Sequence, residues 1–194
     1  DSLPLTSLTI PLFAELALSS RQDVDPAEWC RVFGVRDVNE QCDSEEFLNI
    51  FADKLESSLA STPHRDLLRE LFGGTEVQQV IGIDPRSGKR FVREKESPFV
   101  HLGLVVRNKR SVEESLQAYT APDTIDGVEV DDSADSPRVT VSKRMVVGKL
   151  PRLLWLHCRR LEFDFDKCMT AKINTRHAFP PTLTPHHHTK VSTP

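Results

Sequence analysis

The chain has 194 residues, with 25 Lys and Arg against 29 Asp and Glu, a formal net charge of −4, and 38% hydrophobic residues. That length suits one domain with a core that needs no staples, and the mild acidity excludes a general nucleic-acid binder, which would show a net basic surface. No apolar run approaches the roughly 20 residues of a membrane span. The best stretch, 3–18, is broken by Pro4, Pro11 and Glu15 and lacks a basic segment before it, so it reads as neither a span nor a secretory leader. Cys30, Cys42, Cys158 and Cys168 are scattered with no CxxC pair. That excludes a disulfide scaffold and a structural zinc site, and favours reduced thiols in the cytoplasm, with the nucleus as the alternative. A first residue other than Met and a loose polar end suit an excised segment.

The first 72 residues read as helical. Pro11 is expected to start a helix at its first position, with Phe13, Leu16 and Ala17 sharing a face. Asp25 caps a second short helix, Pro26 is its first residue, Trp29, Val32 and Phe33 are its buried side, and Gly34 ends it. A third helix opens at Asp43, with Glu46 three positions on and Phe47, Ile50, Phe51, Leu55 and Leu59 at helical spacing, and Pro63 stops it. A fourth runs from about Arg65 to Phe72 and ends at Gly73-Gly74.

From Thr75 the pattern turns to strands. Val77, Val80, Ile81 and Ile83 mark one, Asp84-Pro85-Arg86-Ser87-Gly88 is turn chemistry, and Phe91-Val92 lies on the return. Residues 99–106 form a further strand. Ser111 with Glu114 is a capping box before Leu116 and Tyr119, and Pro122 and Gly127 break that helix. Residues 128–137 read as an exposed acidic loop, 140–147 and 153–165 as strands parted at Leu150-Pro151, and 171–173 as another short strand. From Pro180 on, four prolines and three consecutive histidines make a poorly ordered tail in which His186, His187 and His188 lack convergent metal ligands. The class is α+β, a helical lobe joined to an antiparallel sheet.

Four ordered segments resemble the ubiquitin-specific proteases. Glu40-Gln41-Cys42-Asp43-Ser44-Glu45-Glu46-Phe47 is similar to the family's Gln-Gln-Asp helix start, and Leu71-Phe72-Gly73-Gly74 to its junction into the fingers. Residues 99–104, Ser111-Val112-Glu113-Glu114-Ser115-Leu116 and Ile125-Asp126-Gly127 resemble its strand, helix and turn. Lys149-Leu150-Pro151, the run 156–164 and Lys172-Ile173-Asn174-Thr175-Arg176 resemble its palm strand and the segment after it. The resemblance implies a papain-like cysteine protease fold of thumb, fingers and palm, in part. Residues 1–74 would be the helical thumb portion, 75–149 a fingers-like β region with one helix, 150–181 palm strands and 182–194 a disordered tail. It also implies hydrolysis of the bond after the ubiquitin C-terminal glycine, with ubiquitin or ubiquitinated proteins as partners and neither nucleic acid nor membrane.

Thiolate acyl transfer needs a cysteine in reach of a histidine. The family's Asn-Cys motif and its His-Gly motif are both absent from this sequence, so no catalytic residue is assigned. The motifs lie outside the segment, or the domain has lost them and is an inactive ubiquitin-binding or scaffolding module. The two places where many members carry zinc-binding CxxC pairs, 82–88 and 128–138, hold no cysteine, so a zinc-free finger and no cofactor are expected.

The resemblance assigns ubiquitin contacts residue by residue. Asp43, a helix cap in its own right, would also grip the basic tail of ubiquitin, with Gln41 and Glu45 flanking it; the latter two otherwise sit on a solvated turn. Arg160 and Leu161 match an Arg-Phe pair, Leu161 keeping an apolar contact without the ring, while Arg160 alternatively serves a buried ion pair. Lys172 matches a basic position at the palm's edge and is otherwise an exposed strand charge. Cys42 is not at the nucleophile's position, Cys158 and His157 pack in a strand, and Cys168 lies in a hairpin turn. The central expectation is spatial: the start of the third helix and the late strand would wall a groove for an extended, positively charged peptide end.

Overall fold

A computed structural model of the chain describes residues 5–35, 37, 43–165 and 168–184. Its elements are α1 (Leu5–Leu18), α2 (Ala27–Phe33), α3 (Ser44–Leu59), α4 (Leu67–Phe72), β1 (Gly74–Ile83), β2 (Arg90–Phe99), β3 (His101–Val105), α5 (Val112–Thr120), β4 (Asp123–Glu129), β5 (Arg138–Lys149), β6 (Trp155–Arg159), β7 (Leu161–Asp164) and β8 (Met169–Lys172). They fall into two compact units, Asp1–Glu70 and Leu71–Pro194. Among the described residues, no helix is long and apolar enough to cross a membrane.

In the first unit, α1 corrects the sequence expectation. The helix begins at Leu5 and Pro11 lies inside it, so the bond that position 11 would give to the carbonyl one turn earlier is missing. The inward side is Leu5, Leu8, Thr9 and Leu12, while Phe13 and Leu16 are exposed. Thr9 is the polar joint to α2: its Oγ1 donates to the Leu5 carbonyl and accepts from Trp29 Nε1, both at 2.9 Å. α2 starts one residue later than expected, with Pro26 at the cap position, although the Asp25 carboxylate does accept from Ala27 N at 2.9 Å. Gly34 ends it in the left-handed region at φ 97°, returning its N–H to Cys30 O. Trp29 and Phe33 of α2 stack at 4.8 Å, and Phe47 and Phe51 of α3 tilt against both, at centroid distances of 5.1 to 6.4 Å. These four rings are the centre of the helical unit, and α3 nevertheless has no fully buried residue.

The second unit has a four-stranded antiparallel sheet in the order β2-β1-β5-β4. Gly74 opens β1 because only a residue without Cβ fits there: a Cβ would stand 2.4 Å from the Phe99 ring and 2.7 Å from Lys149 O. Pro98 is accommodated because β2 is an edge strand. The expected strand 99–106 divides, Phe99 closing β2 and His101 opening β3 after a bend. The stretch from 128 is also corrected. Val128 and Glu129 belong to β4, paired with Val139 and Arg138, and the irregular part begins after them. One extra residue between Ile125 and Val128 makes a bulge, which Gly127 allows at φ 74°.

Antiparallel pairing holds for this sheet and for the β7–β8 hairpin, but β3 and β6 pair in parallel, His101 beside Trp155 through Val105 beside Arg159. The expected strand 153–165 is therefore two. At Arg160 the chain changes partner from β3 to β8, and the Arg160 carbonyl accepts from Ile173 N at 2.7 Å.

α5 covers this junction. Ser111 caps it, accepting from Glu114 N, while the Glu114 carboxylate accepts from Arg110 N at 2.8 Å and Arg110 Nε at 3.0 Å. The bond from the Arg110 amide is the main reason its carboxyl lies below the usual range. Val112 and Leu116 pack with Leu104; Phe99, Leu102 and Val147 form a second cluster, and Tyr119 and Leu156 touch both. Burial, and then the Glu76 carboxylate to which its hydroxyl donates, hold the Tyr119 phenol well above its ordinary value. Ser115, also buried, donates to Val105 O at 2.8 Å and lies 3.0 Å from His177 Nε2, which fixes the segment after β8.

Candidate functional site

The start of α3 gathers negative charge by helix geometry. Asp43, extended at the cap, accepts from Glu45 N at 2.7 Å, one position earlier than a capping box would bond. Rows three and four apart then bring Glu46, Asn49, Ile50 and Asp53 to the same side. With Asp43 and Glu45 they line an open depression containing four carboxylates, one amide and one isoleucine. Such a surface suits an extended peptide with basic side chains and an apolar one to set on Ile50.

Gln41, together with Cys42 and Glu40, lies outside the described residues. Asp43 and Glu45 meet at the start of α3. Asn49, Ile50 and Asp53 were missed by the sequence reading, although the spacing 43, 46, 50, 53 carries the signal: it is one helical stripe.

The other three residues meet at β7 and β8. Leu161 and Lys172 are direct cross-strand partners, and Arg160 immediately precedes Leu161. Instead of the ion pair weighed for it, Arg160 donates from Nη1 to the carbonyls of Ile173 (3.0 Å) and Thr175 (3.2 Å). It is a strap holding the segment after β8, and its charge satisfies the chain's own backbone. Glu162 on the opposite face pairs with Arg107. Leu161, Phe163, Phe165 and Met169 are all about half or more exposed, with Phe163 and Phe165 edge to face at 5.1 Å. This hairpin therefore presents an apolar strip with Lys172 beside it. Asp43 and Glu45 belong to the first unit, and Arg160, Leu161 and Lys172 to the second.

Cys168 lies in the expected hairpin turn, Cys158 is on a strand as expected but not in the core, and Cys42 lies outside the described residues. Cys158 is half-buried in β6, and burial pushes its thiol up against a smaller opposing influence from Arg160. Cys168 is exposed in the β7–β8 turn at φ 48°. Among the described residues, no group of three or more His, Cys, Asp or Glu is arranged to hold a metal.

The family model described as ubiquitin carboxyl-terminal hydrolase matches residues 7–193. The chain belongs to the ubiquitin carboxyl-terminal hydrolase family. Curated relatives of this chain include human ubiquitin carboxyl-terminal hydrolase 9Y, 28% identical over 89% of this chain and 7% of that protein. Another is human ubiquitin carboxyl-terminal hydrolase 40, 30% identical over 87% of this chain and 14% of that protein. Among solved structures, a SAGA DUB module bound to monoubiquitin matches with a TM-score of 0.79 at 17% identity, covering all of this chain and 45% of that one. A SAGA DUB module bound to ubiquitin aldehyde matches at TM-score 0.76 and 16% identity over 97% of this chain and 44% of that one. The hydrolase family and the α+β, papain-like fold of its ubiquitin-specific members are thereby established for this chain. It spans a small fraction of the curated relatives and less than half of the structural neighbours.

Proposed function

We propose that this chain is the ubiquitin-recognising part of a deubiquitinating cysteine protease domain that hydrolyses the bond after the ubiquitin C-terminal glycine. The acidic stripe at the start of α3 carries the reading: four carboxylates and an isoleucine line one open depression, which suits a ligand that is extended and cationic. Asp43 and Glu45, flanked by Gln41, would hold the basic tail of ubiquitin, and Leu161, with Arg160 positioning its strand and Lys172 at its edge, would make an apolar contact of its own with ubiquitin. The globular body would rest on the sheet of β1, β2, β4 and β5. The thiol nucleophile and its base would come from segments beyond this sequence, and the three described free cysteines suit a reducing cytoplasmic or nuclear setting.

A second reading is a catalytically inactive ubiquitin-binding or scaffolding module. Leu161 favours it, since it stands half-exposed where the resemblance calls for an aromatic ring.

Titration of the isotope-labelled chain with ubiquitin tests recognition in both readings. Shifts are expected at Asp43, Glu45, Asp53, Leu161 and Lys172, and their absence at all five removes both. Asp43→Asn isolates the charge, because Asn caps a helix as well as Asp does. A loss of one charge-assisted bond predicts about tenfold weaker binding of a ubiquitin tail peptide with little change in stability. Cleavage of a fluorogenic ubiquitin substrate by the longer protein carrying this segment separates the enzyme from the scaffold.

A further inference from the structure

The outer strands of the four-stranded sheet, β2 and β4, are separated in the ladder by β1 and β5, yet side chains join them. Arg93 of β2 donates from Nη2 to the Glu129 carbonyl of β4 at 2.7 Å. At the sheet's far end, the β1–β2 turn is closed by Gly88 N to Asp84 O at 2.8 Å and Asp84 N to Lys89 O at 2.9 Å. Arg86 projects from this turn with Asp84 on one side, Nε to Oδ1 at 3.1 Å, and Asp131 of the β4–β5 connection on the other, Nη2 to Oδ2 at 2.5 Å. Asp131 is itself fixed, accepting from Ser133 N at 3.1 Å and from its hydroxyl, while its own N–H donates to Ser136 Oγ at 2.9 Å. Each loop thus holds its carboxylate before the guanidinium arrives, so little side-chain freedom remains to be lost on pairing.

These are the two segments, 82–88 and 128–138, in which the resemblance looks for zinc-binding cysteine pairs. The residues present do not fit zinc, which takes four soft or borderline ligands in a tetrahedron. Here a guanidinium fills the space between two carboxylates, and a second cation would face its charge.

We infer that Arg86 and Arg93 are a metal-free brace that ties the two hairpin tips together and sets the curl of the sheet. The bond to Arg86 holds the Asp131 carboxyl far below its ordinary range, in keeping with a pair closed throughout the neutral region. Because all three side chains of the ion-paired tip are partly exposed, the brace is sensitive to ionic strength, which a coordinated metal would not be.

Amide hydrogen exchange on the whole chain, at 0.15 M and 1 M salt, tests it. Arg86→Ala is expected to speed exchange about two- to fivefold in both tips, 84–88 and 129–137, although only one is mutated. Asp131→Asn should do the same, the double variant should be no faster than either single one, and 1 M salt should speed the wild type but not Arg86→Ala. Arg93→Ala should act on 123–130 more than on the turn. Added zinc ions should leave the wild-type tips unchanged. The inference is overturned if Arg86→Ala affects only its own turn, if the two substitutions add, or if zinc slows exchange in the tips. The salt arm needs no variant, so a wild-type protein indifferent to salt in both tips also overturns it.

Discussion

The two units solve the burial problem differently. The helical unit relies on four aromatic rings from two helices, with contacts close in sequence, and its longest helix is nowhere fully enclosed. The sheet unit encloses aliphatic side chains completely: Leu102, Leu104, Val106 and Val147 are at most 2% exposed. Large rings tolerate imperfect neighbours through tilted geometries, whereas a β-sheet core of branched aliphatics depends on interlocking shape. The comparison teaches that the acidic stripe on α3 stands on the more adjustable scaffold, and the β7–β8 hairpin on the unit with the tighter core.

Substitutions can break that contrast. Leu104→Ala is expected to have the largest effect, a loss of about 4 kcal/mol by chemical denaturation, because the cavity is walled by Val112 and Leu116 and cannot easily collapse. Phe33→Ala should cost about 3 kcal/mol, falling mainly on the helical unit. Each unit has one of the chain's two tryptophans, Trp29 in the first and Trp155 in the second. Single-tryptophan variants therefore read the units separately, and a Trp29 transition that moves with Leu104→Ala as far as with Phe33→Ala would erase the distinction. Asp43→Ala removes the α3 cap and should cost about 1 kcal/mol, seen as earlier loss of Trp29 fluorescence.

Acid sharpens the comparison from the sheet side. The Asp131 carboxyl is lowered in the folded state, so its contribution is fully present above its unfolded value and is lost as pH falls through the folded one. The stability difference between wild type and Asp131→Asn should be constant above about pH 5 and shrink below about pH 4. The smallest effect is chemical. Among the three described cysteines, Cys168 should label first with a thiol reagent at pH 8 and Cys158 last, because burial keeps its thiol protonated.

Local chemistry was the legible part of the sequence. The cap at Asp43, the Ser111 box, the turn at 84–88 and the stop at Gly34 each depend on residues within a few positions, and the structure has each of them. Failures came where distant partners decide. Pro11 is retained inside α1 because that helix is anchored by Leu5 and by Thr9 through Trp29, which outweigh one missing bond. Asp123, Asp126 and Glu129 disguise β4, whose strand character comes from pairing with β5. Nothing near Arg160 announces that the chain trades β3 for β8 there. The site followed the same rule. Asp43 and Glu45 stand close in sequence, while Asn49, Ile50 and Asp53 required the helix to be drawn before their stripe appeared.

The side-by-side pairing of β3 and β6 has a consequence for how the protein is made. Their registered partners, from His101 with Trp155 onward, are some fifty positions apart, and α5, β4 and β5 all intervene. On a ribosome, β3 emerges and waits while that whole excursion is synthesised. Until β6 arrives, Leu102 and Leu104 have no strand on that flank, so newborn chains pass through an interval in which chaperones have a binding surface and which a faster-folding, locally wired protein would not have.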